Sequence, residues 1–249
     1  MRIAFLTTSD PIYLPDFFEH VLDAYGQETH AVYVVPPLYK GQSYLAAARR
    51  YYRTFGFEGV RGLGRRLIGA KLRRRSIGSI GKKHGVTVAD RPDVNAPPFL
   101  AELERAGVDV LVSVSCPQIF RADLIKLPAK GCLNVHGALL PKYRGVLPSF
   151  WMLANGEDQA GVSVYFVNEQ VDAGDLCGQR SFPIFPSDTV DSLLRRSKAE
   201  AAAVTVEVLE AIESGTVERH PLDLTGGSYY SWPDAEAVKR FRVAGRRLW

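Results

Sequence analysis

Apolar and polar positions follow two periods along this chain, and the switches between them mark its elements. Residues 2–6 read as a short buried strand. Phe17, Val21, Leu22 and Tyr25 then recur at helical spacing, with Asp16 placed to cap that helix and Gly26 to close it. Residues 31–35 form a second strand, stopped by Pro36-Pro37, and residues 86–89 a weaker third. Pro97-Pro98 opens a helix that runs through Arg105 and ends at Gly107. Residues 108–115 are nearly all apolar or small, as in a strand covered on both faces. A short helix near 122–127 leads into a strand at 132–135.

Beyond Pro148 the pattern gives a helix through Ala154, closed by Asn155-Gly156, and strands at 162–168 and 176–184. Ser187 is placed to cap a long helix over 189–214, with Gly215 at its end. Its stripe of Val190, Leu193, Leu194, Ser197, Ala201, Val204, Val208 and Ile212 is expected to cover the sheet. Residues 216–249 read as a compact tail with Tyr229-Tyr230, Trp232 and Phe241 as anchors. Strands alternating with helices predict an α/β fold with an open, mostly parallel sheet. Sites in such sheets lie at the carboxyl ends of the strands.

Composition adds bounds. The 249 residues, 46% hydrophobic and 23% charged, suffice for one large domain or a domain with an appendage. Cys116, Cys132 and Cys177 have neither metal spacing nor an even disulfide framework, which fits a reducing cytoplasm. Only four apolar residues follow Met1-Arg2 before Thr7-Thr8-Ser9-Asp10, so no secretion signal is visible, and no run is long enough to span a bilayer. No G-x-G-x-x-G follows the first strand and no P-loop is present, so NAD and ATP are not implied.

Charge changes the picture at one place. Residues 41–85 hold twelve Lys or Arg and a single acid, Glu58, so the rest of the chain is net acidic under a total of +4. Tyr44, Tyr51, Tyr52, Phe55 and Phe57 are interleaved with these arginines, and Leu63, Leu67, Ile68 and Leu72 suggest an amphipathic stripe. The segment falls where a βα crossover is normally short and reads as a helical insertion between the second and third strands. Three roles stay open for it: a solvated hairpin or homodimer surface, a lid supplying arginines to a nucleotide diphosphate, and nucleic-acid binding. The last is disfavoured because no docking motif accompanies the basic face.

Candidate chemistry centres on Asn134-x-His136 and Asp172. In a strand, side chains two apart share a face, so Asn134 and His136 can reach one reacting atom together. An amine attacking a formyl or acyl carbon builds negative charge on oxygen, to which Asn134 can donate a hydrogen bond. His136 can also donate to it or take the amine's proton. Asp172 can order a water and orient the imidazole. The plain alternative is a strand-end Asn, a loop His and a turn Asp, a triplet common by accident.

The longer text Asn134-Val-His-Gly-Ala-Leu-Leu-Pro-Lys-Tyr-Arg-Gly145 resembles the signature of the folate-dependent formyltransferases. Pro148, Asn155-Gly156-Glu157, Gly161-Val-Ser-Val164 and Asp172-Ala-Gly-Asp175 match as well. The likeness is strong over 108–215, weaker over 1–40 and absent over 41–85. It implies a Rossmann-like formyltransferase domain over 1–215, with a C-terminal extension at 216–249. It also implies formyl transfer from 10-formyltetrahydrofolate to an amine without a metal, with Asn134, His136 and Asp172 catalytic. The pterin pocket would be lined by Ser115, Cys116, Pro117, Gln118, Ile119 and Phe120 and completed by Asn168, Glu169, Gln170 and Val171, largely through backbone groups. Cys116 would then serve as a small buried residue.

The resemblance narrows the acceptor less. Gly137-Ala138, where the family often has Pro-Ser, resembles the sugar-nucleotide branch, and the Tyr143-Arg144-Gly145 form resembles the tRNA and sugar branches alike. Residues 216–249 are too few for the C-terminal barrel of the tRNA branch. The expected acceptor is therefore a nucleotide-linked amino sugar, with Thr8, Ser9 and Arg144 as candidate substrate contacts. The alternatives are another amine, such as an amino acid derivative, a peptide precursor or an aminoacyl-tRNA, or a non-catalytic relative that binds RNA.

Overall fold

The structure, a computed structural model, describes residues 1–36 and 43–249. Pro37 and the opening Gly41-Gln42 of the basic segment lie outside the described residues.

The first half runs β1 (Ile3–Thr8), α1 (Leu14–Tyr25), β2 (Thr29–Val35), α2 (Tyr44–Arg73), α3 (Ile77–Lys83), β3 (Thr87–Asp90), α4 (Pro97–Ala106), β4 (Val110–Val114), α5 (Ala122–Lys126) and β5 (Gly131–His136). The second half runs β6 (Arg144–Gly145), α6 (Pro148–Ala154), β7 (Gln159–Phe166), β8 (Leu176–Pro183), α7 (Val190–Ser214), β9 (Tyr229–Tyr230) and α8 (Ala235–Val243). The main sheet has the order β3-β2-β1-β4-β5-β7-β8, and β7 alone runs against the others. This is the mostly parallel α/β sheet that the sequence predicts.

The strands are apolar on both faces because both faces are covered. Phe5, Val32, Val110, Val112 and Leu133 pack on one side with α1, α6 and α7. Ala4, Leu6, Tyr33, Leu111 and Cys132 pack on the other with Phe99, Leu103 and Leu124 of α4 and α5. The chain leaves β1 toward β2 and β3, then returns to β4 on its other side. That reversal opens a crevice at the carboxyl ends of β1 and β4.

Several local expectations are corrected. Asp16 does not cap α1. It lies in the first turn and pairs with Arg75, while the Asp10 carboxylate accepts from the backbone N–H groups of Ile12 and Tyr13. Thr189, not Ser187, caps α7, in a capping box with Ser192. The basic segment is helical and lies between β2 and β3, and Leu67, Ile68 and Leu72 of its stripe face outward. The inward face carries Phe55, Gly59, Gly62 and Ala70 instead. A Cβ on Gly62 would lie 2.0 Å from Nε1 of Trp249, so only a glycine lets that ring close on the helix. Of the tail's anchors, Phe241 is buried and Trp232 donates to Thr54 of α2, whereas the Tyr229 side chain is 59% exposed.

Candidate active site

β5 ends at His136, with Asn134 two residues earlier on the same strand. The antiparallel register of β7 sets Tyr165 opposite Asn134 and Ser163 opposite His136. Ser163 then fixes the loop that leaves the strand. Its hydroxyl donates to the Ala138 carbonyl at 2.7 Å and accepts from the Leu140 N–H at 3.1 Å. Gln179 of β8 donates to both Ser163 and the Leu140 carbonyl. The path of residues 137–145 is thus set by two strands distant in sequence.

The three candidate catalytic residues converge through a fourth. Asn134 Nδ2 donates to Tyr165 Oη at 2.9 Å, and Tyr165 donates onward to Asp172 Oδ1 at 2.8 Å. The Gly145 N–H donates to Asp172 Oδ2 at 2.8 Å. His136 Nδ1 lies 3.9 Å from Asp172 Oδ1, an ion-pair distance too long for a hydrogen bond. His136 Nε2 is 2.8 Å from the Tyr143 carbonyl, which can only accept, so Nε2 carries the proton and Nδ1 is the nitrogen turned to the carboxylate. His136 and Asp172 are both buried.

Asp172 occupies the left-handed region at φ 50°, held there by its two acceptor contacts. Gly174 follows with its backbone against the Phe166 carbonyl, where a Cβ would lie 1.7 Å from that oxygen. Gly145, at φ +95°, has the same constraint against the Tyr230 carbonyl at 2.2 Å. These close approaches explain why glycines flank the site at those positions. Burial, followed by the Asp172 charge, raises the pKa of Tyr165 far above the ordinary phenol value. Its hydroxyl therefore stays a donor at any physiological pH.

The tail closes the site from outside. β9 pairs with β6, so Tyr230 lies beside Gly145, and its ring stacks between those of Tyr143 (5.3 Å) and Trp151 (4.5 Å). Arg144 Nε is buried with no hydrogen-bond partner among the described residues, and its guanidinium lies 6.0 Å from the Tyr229 ring.

The two expected pterin segments follow β4 and β7, the two neighbours of β5 in the sheet. Val114 pairs with Val135, so residues 115–120 leave β4 beside the end of β5, and residues 168–171 run directly into Asp172. Ile119 and Val171, one in each segment, are 70% and 48% exposed. Glu169 is exposed as well. Gln118 is not free to read a ligand through its amide: it accepts from the Val94 N–H and donates to the Pro92 carbonyl. Asn168 likewise donates to Ala173 and accepts from Gln170, shaping its own loop. Burial pushes the Cys116 thiol up to about 11, as expected for a packing residue rather than a nucleophile. Pro117 is half-buried.

Of the substrate candidates, Thr8 turns its hydroxyl back to the Val35 carbonyl at 3.3 Å, and Ser9 is exposed at the crevice mouth. Sequence reasoning missed two residues. Tyr165 bridges Asn134 and Asp172. Lys198 of α7 donates to Ser115 Oγ at 2.8 Å, and burial pushes its amine down to about 8. Neither carries a local signal, because each meets its partners only through strand register or helix docking.

The sequence model of the formyl transferase family matches residues 1–209. A methionyl-tRNA formyltransferase of Geobacter metallireducens is 34% identical over 155 residues, which cover 62% of this chain and 50% of that protein. The chain spans about half the length of the curated relatives it matches. Among solved structures, glycinamide ribonucleotide transformylase 1 from Symbiobacterium toebii is similar at a TM-score of 0.61 and 20% identity, over 90% of this chain and 94% of that one. The N-formyltransferase from Helicobacter canadensis, solved with folinic acid and dTDP-3-aminofucose, is similar at 0.61 and 16% identity, over 98% and 80%. At these identities the structures share the fold.

Proposed function

Since the chain belongs to the formyl transferase family, we propose that it transfers a formyl group from 10-formyltetrahydrofolate to a primary amine, and that this amine sits on a nucleotide-linked amino sugar. The observation that carries the transfer is the buried relay in which Asn134, Tyr165 and Asp172 are hydrogen-bonded in series, with His136 Nδ1 facing the same carboxylate. The amine's attack forms a new C–N bond to the formyl carbon, and collapse of the tetrahedral adduct breaks that carbon's bond to the tetrahydrofolate nitrogen, which departs with the proton the amine gives up.

Asn134 gives one amide hydrogen to Tyr165, which leaves the second for the formyl oxygen as the attacking amine drives charge onto it. His136 cannot offer Nε2 to the same oxygen while Tyr143 holds it, so its role is to receive the amine's proton on Nδ1. Asp172, already accepting from Tyr165 and Gly145, is a fixed negative charge that steadies the resulting imidazolium. Ile119 and Val171 would cover the pterin.

Two cationic groups favour an anionic acceptor. Arg144 has an unpartnered buried Nε beside the tail, and Lys198 stands at the end of β4. A nucleotide diphosphate fits such groups. The second reading is an aminoacyl-tRNA, favoured by the methionyl-tRNA formyltransferases among the relatives. A panel of nucleotide-linked amino sugars, free amino acids and charged initiator tRNA, each incubated with the formyl donor, separates them by mass and by tetrahydrofolate release. Formylation of a sugar nucleotide is expected. Formylation of the tRNA alone would overturn the acceptor, and no folate turnover with any amine would overturn the transfer itself.

A further inference from the structure

We propose that the outward face of α2 docks on an anionic lipid surface. This goes beyond formyl transfer and does not depend on it.

The helix has two unlike sides. Its inner side is committed to the body. Phe55 packs on Phe150 and Trp232, Thr54 accepts from Trp232, and Arg66 pairs with Asp191 while lying over the Trp249 ring. Its outer side is apolar and unpartnered. Positions 57, 61, 64, 68 and 72 step by three and four and so share one face. There Phe57 is 70%, Ile68 62% and Leu72 77% exposed, and Val60 and Leu67 widen the strip. Tyr44, Leu45 and Tyr52 continue the exposed apolar surface before the kink at Gly56. A solvated helix does not concentrate large apolar side chains on its water-facing side.

The same side is cationic. Arg61 and Lys71 lie on it and Arg65 at its edge, none of them in an ion pair among the described residues, and Glu58 is the sole acid of the helix. Charge and apolarity together select the occupant. A two-fold pairing of this face with itself in a second copy would bring two cationic surfaces together and repel. A nucleic acid would satisfy the arginines but offer nothing to Ile68, Leu67 and Leu72. An anionic bilayer offers phosphates at the depth of the arginines and acyl chains just beneath. Tyr44 and Tyr52 suit the headgroup level. No helix among the described residues is long and apolar enough to cross a membrane, so the attachment is peripheral.

The test is co-sedimentation of the full chain with vesicles of phosphatidylcholine alone and of phosphatidylcholine mixed with phosphatidylglycerol. Binding to the mixed vesicles, with little to the neutral ones, is expected. The exposed triple substitution Phe57→Ser, Ile68→Ser, Leu72→Ser should weaken it about tenfold or more, as should Arg61→Gln, Arg65→Gln, Lys71→Gln. A Phe57→Trp reporter should shift its emission to the blue on mixed vesicles. Equal binding by the serine triple variant would overturn the proposal. So would self-association of the parent that the serine variant abolishes, or RNA binding without vesicle binding.

Discussion

Asp172 receives hydrogen bonds from Tyr165 and Gly145, and His136 Nδ1 faces it at 3.9 Å. Under the proposed mechanism, His136→Ala removes the proton acceptor and Asp172→Asn the charge that stabilises it. Each should lower kcat by about 10²–10⁴-fold with unchanged circular dichroism, and near-normal kcat in both would remove these roles. Tyr165→Phe tests the relay. It deletes the hydroxyl that orients Asn134 and Asp172 while keeping the ring, so kcat should fall about ten- to a hundredfold with little change in KM. A rise in KM alone would reassign Tyr165 to binding. Asn134, His136 and Asp172 are legible in the sequence because they sit in one local text with fixed spacing. Tyr165 is not, since its partner is set by the antiparallel register of β5 and β7.

At the scale of elements, Asp191 ties three parts together. It accepts from Tyr13 ahead of α1, from Arg66 of α2 and from Arg195 one turn along α7. Burial alone would raise its pKa, but hydrogen bonds from Arg66, Tyr13 and Arg195 outweigh it and hold the carboxyl below its ordinary value. A carboxyl depressed in the folded state contributes stability that is complete above its unfolded pKa, about 3.9, and is lost as pH falls through the folded value. Asp191→Asn should therefore lower unfolding stability by about 3 kcal/mol at neutral pH, and the gap to the parent should close in acid, as read from denaturant midpoints. A gap that persists unchanged at low pH would assign the loss to packing. Helix spans were readable from turn residues and periodicity. Which face of α2 meets the body was not, because beyond the kink at Gly56 glycine and alanine make the inner contact while Phe57, Ile68 and Leu72 point away.

For the molecule as a whole, the tail and the insertion are parts of the fold rather than attachments. Backbone bonds join Val190 and Asp191 to Arg247 and Leu248 at the start of α7, and Trp249 closes on Gly62 and Arg66. The sequence by itself determined the class of sheet, the order of the main-sheet strands and of the helices between them up to α7, and the Asn134, His136 and Asp172 text, because hydrophobic period, turn chemistry and motif spacing are all local. Only the tertiary structure decided that Tyr165 joins those residues, that His136 presents Nδ1 rather than Nε2, that Lys198 meets Ser115, and that α2 leaves Phe57, Ile68 and Leu72 uncovered. Each of these depends on strand register or helix docking, where contacts between distant residues choose among faces that the local pattern leaves equivalent.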